Sequence, residues 1–557
     1  MIKKISYQIL LGVLFILFPV KNINSCTNFL ITKGASADGS CMITYAADSH
    51  VLFGELYFWP AADYAEGSWL NVYEWDTGKY LGKIKQTSHS FSVVGNMNEH
   101  QVSIGETTFG GRPELVDTTA IMDYGSLIYI ALQRAKTARE AIKIMTDLVA
   151  EYGYASSGES FSIADPNEVW IMEMISKGPG NKGAVWVARR IPDGYISGHA
   201  NQARIRQFPL NDPANCLYAA DIITFAQSKG YFSKDKKNEE FSFVDAFAPI
   251  DFHALRFCEA RVWSGFRRVN KQMDIYQDYA TGENAKNIMP LWIKPDKKLT
   301  VQDVMALMRD HFEGTVLDMT QDIGAGPFQN PYRWRPLTWE VDSIEYCNER
   351  AISTQQTGFS FVAQSRNFLP NPIGGILWFG VDDASSSVYI PMYCGITKVP
   401  ESFAVGNGSM MDFSNDAAFW VFNQVSNFAY TRYNLIQPEI HKLQQELENN
   451  YVAYSSGVDK AATELYKKDK GLAIQYLTDF SVNQGNNAVK KWQGLYAYLF
   501  TKYMDGNVKV KKTVPENYIY VAPDVSQPGY GNDYYKAIIE QKSEHFKVKK
   551  EEGASKH

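Results

Sequence analysis

Cys26 stands where a secretory leader should end, in the stretch NSCTNFLITKGASADGS. A short basic start, an apolar run from Ile9 to Val20 and a polar segment ending in Ser25 precede it, which is the pattern of a signal peptide. Removal of residues 1–25 would leave a thiol and an α-amine on one terminal residue. An ordinary α-amine titrates at about pH 8, so it can accept the thiol proton near neutral pH. These groups predict a nucleophile that attacks a carbonyl without a separate histidine.

A membrane anchor, a lipid anchor and an inert buried thiol are the alternatives at this position. The apolar run has 12 residues, fewer than the roughly 20 that span a bilayer. A lipid anchor would consume both the thiol and the amine of Cys26, and Ile23-Asn24-Ser25 match the lipidation pattern poorly. We therefore expect a protein that is exported to the periplasm or the medium, with no membrane span after leader removal and with lipid anchoring disfavoured.

The composition of the 557-residue chain favours a large folded protein with a substrate cleft. Hydrophobic residues make up 45% and aromatic residues 14%, enough for a large core and broad sheets. The net charge of −6, with no basic stripe outside the extreme C-terminus, argues against a nucleic-acid partner.

No metal or cofactor site is predicted. The six cysteines show no CxxC spacing and the nine histidines no HxxxH or HExxH spacing. Asp310, His311 and Glu313 cluster in RDHFEGT, but this spacing fits no ligand rule, and a structural turn is favoured.

Strands and turns dominate the first two thirds of the chain. TNFLIT and CMITYAADS predict a hairpin that begins at Cys26, and further hairpins are predicted at GESFSIADPNEVWIMEMI, GAVWVARRIPDGYISGHAN and GGILWFGVDDASSSVYIPMY. Thr137 and Glu140 form a capping box before a predicted amphipathic helix. This alternation of sheets and helices predicts an α+β fold.

Helical patterns dominate from about Ser414. We predict a catalytic domain over residues 26–413, a helical C-terminal region over residues 414–507 packed on it, and a tail over residues 508–557. The charged end of the tail, KVKKEEGASKH, is predicted to be solvated and disordered.

Several long motifs, taken together, resemble one family. The stretch CTNFLITKGASADGS with the later Asp48 resembles the cysteine dipeptidases of the N-terminal nucleophile hydrolase superfamily, of the dipeptidase A type and distantly related to penicillin V acylase and bile salt hydrolase. The same resemblance continues in the same order through NEHQVSIGETTF, DGYISGHANQARI, ARVWSGFRRVN, MRDHFEGTVLDMTQDIGAGPFQNPYRW, QSRNFLPNPIGGILWFGVDDASSSVYIPMY and FSNDAAFWVFNQVSN. It implies an αββα four-layer sandwich and dipeptide hydrolysis without a cofactor.

The resemblance also implies roles for individual residues. Cys26 is the nucleophile, and its α-amine shuttles the proton. Asp48 holds that amine or the substrate's amine. Asn201 supplies an oxyanion donor, Thr108 lies near a second oxyanion contributor, and Arg261 steadies the thiolate. The chain departs from the family at Tyr45-Ala46-Ala47-Asp48, where relatives often carry an arginine three residues before the acid.

Tyr45 and Glu106 are predicted to contact the substrate, with Glu106 binding the free amine that a dipeptidase must recognise. The alternatives are structural: Glu106 facing solvent, Asp48 capping a turn, Asn201 ending a hairpin and Arg261 pairing with Glu259. Burial of an unpaired carboxylate is costly, so an inward Glu106 would need a cationic partner.

The sequence therefore predicts an exported cysteine dipeptidase that acts on small peptides through a thioester. The alternatives are an amidase for N-acyl amino acids, bile salts or penicillin-type amides on the same fold, and an exported binding protein without activity. Assembly into a homo-oligomer is left open.

Overall fold

The computed structural model describes residues 26–548. The predicted leader, residues 1–25, and the end of the predicted tail, residues 549–557, lie outside the described residues. The strands in chain order are β1 (Asn28–Ile31), β2 (Cys41–Asp48), β3 (Phe58–Trp59), β4 (Ala62–Asp63), β5 (Trp69–Tyr73), β6 (Tyr80–Lys85), β7 (His89–Ser90), β8 (Val93–Val94), β9 (Met97–Asn98), β10 (Ser103–Gly110), β11 (Gly158–Ala164), β12 (Val169–Ser176), β13 (Ala184–Arg190), β14 (Ile196–His199), β15 (Cys216–Tyr218), β16 (Trp292–Ile293), β17 (Thr338–Val341), β18 (Ile344–Cys347), β19 (Thr357–Ser365), β20 (Gly375–Val381), β21 (Ile390–Tyr393), β22 (Val508–Val510) and β23 (Asp524–Ser526). The α-helices are α1 (Tyr124–Leu132), α2 (Ala138–Tyr152), α3 (Ile222–Ser228), α4 (Phe243–Phe247), α5 (Ala260–Val269), α6 (Gln277–Ala280), α7 (Val301–Leu307), α8 (Asn371–Gly374), α9 (Ala418–Tyr430), α10 (Tyr433–Lys468), α11 (Lys470–Tyr503) and α12 (Asn532–Phe546).

Two large antiparallel sheets form the centre of the molecule. One has seven strands in the order β16-β14-β1-β2-β19-β20-β21, and the other has eight in the order β15-β13-β12-β11-β10-β9-β8-β3. Strands β1 and β2 pack on β10, β11 and β12. Helices α1 and α2 pack on the eight-stranded sheet, whereas α9, α10 and α11 pack on the seven-stranded sheet. The predicted α+β class and the αββα order of layers are confirmed.

The hairpin predicted at the start of the mature chain is present as β1 and β2. Leu30 lies opposite Ile43. The carboxylate of Asp38 in the connecting turn accepts hydrogen bonds from the hydroxyls of Ser36 and Ser40, at 2.6 Å each. These bonds fix the turn SADGS, and the returning strand carries Tyr45 and Asp48 back towards Cys26.

The predicted hairpin of GAVWVARRIPDGYISGHAN is wrong. Its two strands belong to different sheets, because β13 pairs with β12 and β15 whereas β14 pairs with β1 and β16. The turn at Pro192–Gly194 carries the chain from one layer to the other. It is held there by the first hairpin, since Asp193 Oδ1 accepts from Gly34 N at 2.7 Å and Gly194 N donates to Thr32 Oγ1 at 3.0 Å.

Other predicted elements are confirmed. Helix α2 follows Thr137, whose hydroxyl accepts a hydrogen bond from Glu140 N at 3.2 Å; the predicted capping box is only half formed, because the Glu140 carboxylate accepts from Lys136 N instead of Thr137 N. Strands β11 and β12 form the hairpin around the Asp165 turn, and β20 pairs with β21.

The C-terminal region is helical as predicted and covers the seven-stranded sheet. Trp492 of α11 is fully buried and stacks on Phe422 of α9. The predicted tail contains more structure than expected, namely the β22–β23 pair and the helix α12, which has no buried residue. Within residues 26–548, no helix is both long and apolar enough to cross a membrane.

Candidate active site

Cys26 lies two residues before β1 and is buried beside a cavity of about 490 Å³. A bridge between Thr27 and Ala46 holds this end of the chain against β2. The cavity is walled by β2, by β10, by the turn between β5 and β6, and by α1, and the residues around it include Tyr45, Asp48, Trp75, Asp76, Tyr124 and Tyr129. The packing of the two sheets thus brings Cys26 to a space large enough for a small ligand.

The Cys26 thiol faces two predicted substrate residues. Its Sγ is 3.7 Å from Glu106 Oε1 and 3.9 Å from the hydroxyl of Tyr45. The Tyr45 hydroxyl in turn donates to Glu106 Oε1. Burial, and then the negative charges of Glu106 and Asp48, raise the pKa of the Cys26 thiol well above its ordinary value. The thiol is therefore held in its protonated form by this environment.

Glu106 forms a carboxyl pair with Glu159, which sequence reasoning missed. Thr108 lies opposite Glu159 in the β10–β11 pair, so Glu106 and Glu159 are diagonal neighbours on one face. The Thr108 hydroxyl donates to Glu159 Oε1 at 2.8 Å. Within the described chain, the Oε2 atoms of both glutamates have no hydrogen-bond donor, and the two carboxyl groups lie within hydrogen-bonding reach of each other.

Burial raises the pKa of both glutamates, and the charge of Glu106 raises that of Glu159 further. Two adjacent buried carboxyls stabilise each other only when they share a proton. Asp76 adds a third acid: it accepts a hydrogen bond from the Tyr124 hydroxyl at 2.8 Å, and burial raises its pKa. Among the described residues, no lysine or arginine lines this cavity. The carboxyl group of Glu106 therefore faces inward, and within residues 26–548 it has no lysine or arginine as the expected cationic partner.

Arg261 connects the main chain of the nucleophile to Asn201. Its Nη1 donates to the carbonyl oxygen of Cys26 at 2.6 Å and to Thr27 Oγ1 at 2.9 Å, and its Nη2 donates to Asn201 Oδ1 at 2.9 Å. The alternative pairing with Glu259 does not occur, because Glu259 binds Arg204 at 2.9 Å. Burial and the nearby Arg350 lower the pKa of Arg261 to about 10.

Helix α5, which carries Arg261, follows a π-helical segment at Ala254–Glu259. Such segments are frequent at functional sites. Arg261 Nε donates to the carbonyl oxygen of Phe257 in this segment at 2.7 Å.

Asn201 follows β14 with a φ of 60°, a left-handed conformation that is uncommon outside glycine. Its Nδ2 donates to the carbonyl oxygen of Thr108 at 2.8 Å. Thr108 thus holds Asn201 through its main chain while its hydroxyl is bound to Glu159. The oxyanion roles predicted for Asn201 and Thr108 stay predictions.

Asp48 is buried in an ion pair with Arg350, at 2.6 Å between Oδ2 and Nη2, and its Oδ1 accepts from Thr357 Oγ1 at 2.6 Å. Burial raises the pKa of Asp48, against the opposing effect of the Arg350 charge. Arg350 therefore supplies the cation that the segment Tyr45–Asp48 lacks. No local sequence pattern indicates this pairing, because the two residues are 302 positions apart.

The Asp310, His311 and Glu313 group has protein partners of its own. Asp310 accepts hydrogen bonds from Ser264 at 2.6 Å and from Arg268 at 2.8 Å, and His311 Nδ1 is 3.3 Å from Glu313. Within the part of the chain that the structure describes, no group of three or more His, Cys, Asp or Glu side chains is arranged to hold a metal ion, and all six cysteines are unpaired.

Comparison with known proteins identifies the family. The profile of peptidase family C69 matches residues 54–446, which is most of the chain, and the chain belongs to this family. The match includes Glu106, Asn201 and Arg261 and begins after Cys26 and Asp48.

Curated relatives agree with this assignment. A probable dipeptidase of Salmonella dublin is 26% identical over 392 residues, covering 67% of this chain and 81% of that protein. A probable dipeptidase of Latilactobacillus sakei is 24% identical over 401 residues, covering 68% and 76%. Probable dipeptidase B of Streptococcus pyogenes serotype M1 is 21% identical over 521 residues, covering 89% and 97%. The predicted family resemblance is confirmed, and the protein is a peptidase.

Proposed function

We propose that this peptidase of family C69 is an exported dipeptidase that uses Cys26 as its nucleophile. Its relatives are named probable dipeptidases, which supports the substrate class. Export and removal of residues 1–25 are proposed from the leader pattern, and the mature chain would begin at an unmodified Cys26.

The observation that carries the proposal is the buried carboxylate of Glu106 beside the thiol, 3.7 Å from Sγ. In a peptide attacked by Cys26, the α-nitrogen of the first residue is two bonds from the attacked carbon. A free ammonium group there would lie beside Glu106. Burial of a carboxylate without a cation is costly, and a substrate ammonium provides the missing charge.

The proposed reaction is acyl transfer in two steps. The Cys26 thiol attacks the carbonyl carbon of the peptide bond while its α-amine takes the thiol proton. Asn201 and main-chain N–H groups stabilise the negative charge on the carbonyl oxygen. The C–N bond then breaks, the second amino acid leaves with the proton from the amine, and water hydrolyses the thioester to free the first amino acid.

The rival function is an amidase for N-acyl substrates. Such an enzyme needs an apolar site for the acyl group, and its substrates carry no ammonium beside the scissile bond. The acids Glu106, Glu159 and Asp76 are costly next to an apolar acyl chain. These three acids therefore favour a dipeptidase function over an amidase function.

The test compares free and N-acetylated dipeptides on the purified mature protein, whose intact mass should correspond to a chain that starts at unmodified Cys26. We expect the free dipeptides to be hydrolysed and the acetylated ones to be poor substrates. Cys26→Ala should abolish hydrolysis, and Cys26→Ser should leave at most a trace because the hydroxyl is the weaker nucleophile.

Cys216→Ala is the matched control, because Cys216 is a buried thiol on β15 outside the cavity. This variant should keep full activity. A preference for the acetylated substrate would favour the amidase, and a lipid adduct on Cys26 would exclude the proposed nucleophile.

A further inference from the structure

We propose that Arg335 binds the free carboxylate of the dipeptide's second residue, and that this contact restricts the enzyme to dipeptides. The inference rests on the proposed function and extends it from the amine end of the substrate to the carboxylate end. Arg335 is absent from the motifs that pointed to the catalytic residues.

Arg335 is a half-buried cation with a neutral partner. Its Nε and Nη2 both donate to the amide oxygen of Gln356, the former at 3.1 Å. Over residues 26–548 it forms no ion pair with a carboxylate. A buried charge is stabilised when a counter-charge joins it, so this guanidinium is poised for an anionic ligand.

Gln356 connects Arg335 to the wall of the cavity. The carbonyl oxygen of Gln356 accepts from Ser49 N at 2.9 Å, and its Nε2 donates to the carbonyl oxygen of Asp48 at 3.4 Å. Asp48 and Ser49 line the cavity. Arg335 itself lines a separate, smaller pocket together with Arg350, and Gln356 connects it to the wall of the cavity.

Positive charge is in excess around Arg335. Burial, and then repulsion from Arg350 and Arg261, lower the pKa of Arg335 to about 9, so it is still charged at neutral pH. Two acids are near. The oxygens of Asp48 are bound to Arg350 and Thr357. Glu349, which lines the same small pocket as Arg335, is paired with Arg256 at 2.5 Å. Both acids therefore already have a cationic partner other than Arg335.

The other two arginines are committed to the protein. Arg261 donates all its N–H groups, to Phe257, Cys26, Thr27, Ala200 and Asn201. Arg350 is bound to Asp48. Among the described residues, Arg261 has no carboxylate partner either, but its five N–H groups are all used, whereas the hydrogen bonds of Arg335 all go to the single amide oxygen of Gln356.

The polarity of the site matches that of a free dipeptide. The side chain of Cys26 faces the carboxyl group of Glu106, whereas its carbonyl oxygen accepts a hydrogen bond from Arg261. A dipeptide carries an ammonium group on one side of its single peptide bond and a carboxylate on the other. Protein charges that complement both ends of the dipeptide would hold its peptide bond at the Cys26 thiol.

The experiment measures kcat/KM for a dipeptide and for the same dipeptide with a C-terminal amide, both with a free amine. We expect the wild-type enzyme to prefer the free carboxylate by roughly 10- to 100-fold, the range of a charge-assisted hydrogen bond. Arg335→Gln should bring this ratio close to one through loss on the free dipeptide, and Arg335→Lys should give an intermediate ratio.

Arg333→Gln is the matched control, because it removes the same charge two residues away, where Arg333 is paired with Asp322 at 2.8 Å. Its ratio should equal that of the wild type. The ratio is also independent of the folded fraction, because misfolding lowers both rates equally.

An unchanged ratio in Arg335→Gln, or a wild-type enzyme that cleaves the amide as well as the acid, would overturn the role of Arg335. A wild-type enzyme that rejects all free dipeptides would instead overturn the proposed function. The two failures are therefore distinguishable.

Discussion

The surroundings of the Cys26 thiol oppose its ionisation in the empty site. Burial and the charges of Glu106 and Asp48 raise its pKa, and a thiol is a poor nucleophile until it loses its proton. A substrate ammonium beside Glu106 would cancel part of this negative field. Binding of a free dipeptide would therefore also favour the thiolate, so that recognition and activation depend on the same carboxylate.

Glu106→Gln separates these two effects. We expect kcat/KM for free dipeptides to fall roughly 100-fold, because the charge partner of the ammonium is lost. Hydrolysis of N-acetylated dipeptides should not fall. Alkylation of Cys26 by iodoacetamide in the empty enzyme should become faster, because one cause of the raised thiol pKa is removed.

Glu114→Gln is the control for this prediction, since Glu114 is exposed and bonds to the hydroxyl of Tyr231. It should change neither substrate preference nor alkylation. An equal loss on both substrates in Glu106→Gln would assign Glu106 a structural role instead.

The site was predictable at the residue scale only where a local signal existed. Cys26 was found from the leader and Glu106 from its strand and from the chemistry of the substrate. Arg350 and Glu159 gave no such signal, because their roles depend on side chains that are distant in sequence. The charge environment of Arg335 depends on Arg350 and Arg261, which only the folded structure brings near it.

At the scale of elements, turn chemistry predicted where strands end but not which sheet they enter. The turns at Asp165 and at Pro192–Gly194 have similar residues, yet the first joins neighbouring strands and the second joins two layers. The difference depends on the packing of the first hairpin against β14, which is tertiary information. The helices of the C-terminal region were predictable because their apolar periodicity is long.

His199 joins the two sheets. It lies on β14, and its ring nitrogens are 2.7 Å from Thr107 Oγ1 on β10 and 2.7 Å from Ser162 Oγ on β11. Burial lowers the pKa of His199 to about 3. The folded pKa is below the unfolded value of about 6.5, so the stability contributed by neutral His199 is complete above pH 6.5 and is lost as the pH falls towards 3.

We therefore predict that His199→Leu destabilises the protein by about 1–3 kcal/mol at pH 7.5, because two buried hydroxyls lose their partner. At pH 5 the difference in the free energy of unfolding between the variant and the wild type should be smaller by about 2 kcal/mol. The wild type loses this stability because its buried histidine cannot bind the proton that the same histidine binds in the unfolded chain. Urea unfolding at both pH values measures this change.

His545→Leu on the exposed helix α12 is the control, with an expected effect within about 0.5 kcal/mol at both pH values. A difference between His199→Leu and the wild type that is the same at pH 7.5 and pH 5 would contradict the assignment of a buried neutral histidine.

At the scale of the whole molecule, the charge polarity of the site depends on the packing of both sheets. The acids Glu106 and Glu159 belong to the eight-stranded sheet, whereas Cys26 and Asp48 are positioned by β1 and β2 of the seven-stranded sheet. The C-terminal helices pack on the seven-stranded sheet, and none of their described residues lines the cavity.

Asp459 of α10 is a buried link between these helices and the sheet. It binds Arg366, which follows β19, and accepts a hydrogen bond from the Tyr393 hydroxyl at 2.8 Å. Arg366 also donates to the carbonyl oxygens of Gly374 and Ile373, at 2.9 and 2.8 Å. Removal of Asp459 would leave a buried guanidinium without its counter-charge.

We predict that Asp459→Ala lowers the free energy of unfolding by about 3–5 kcal/mol, the usual effect of breaking a buried ion pair. Because the helices and the sheet share one continuous core, loss of peptidase activity and loss of helical circular dichroism on heating should occur at the same lowered temperature. Asp479→Ala, at an exposed position on α11 where the carboxylate bonds to Gln475, should leave both curves unchanged. A variant whose helical signal melts early while activity persists to the wild-type temperature would show that the helical region unfolds separately from the catalytic sheets.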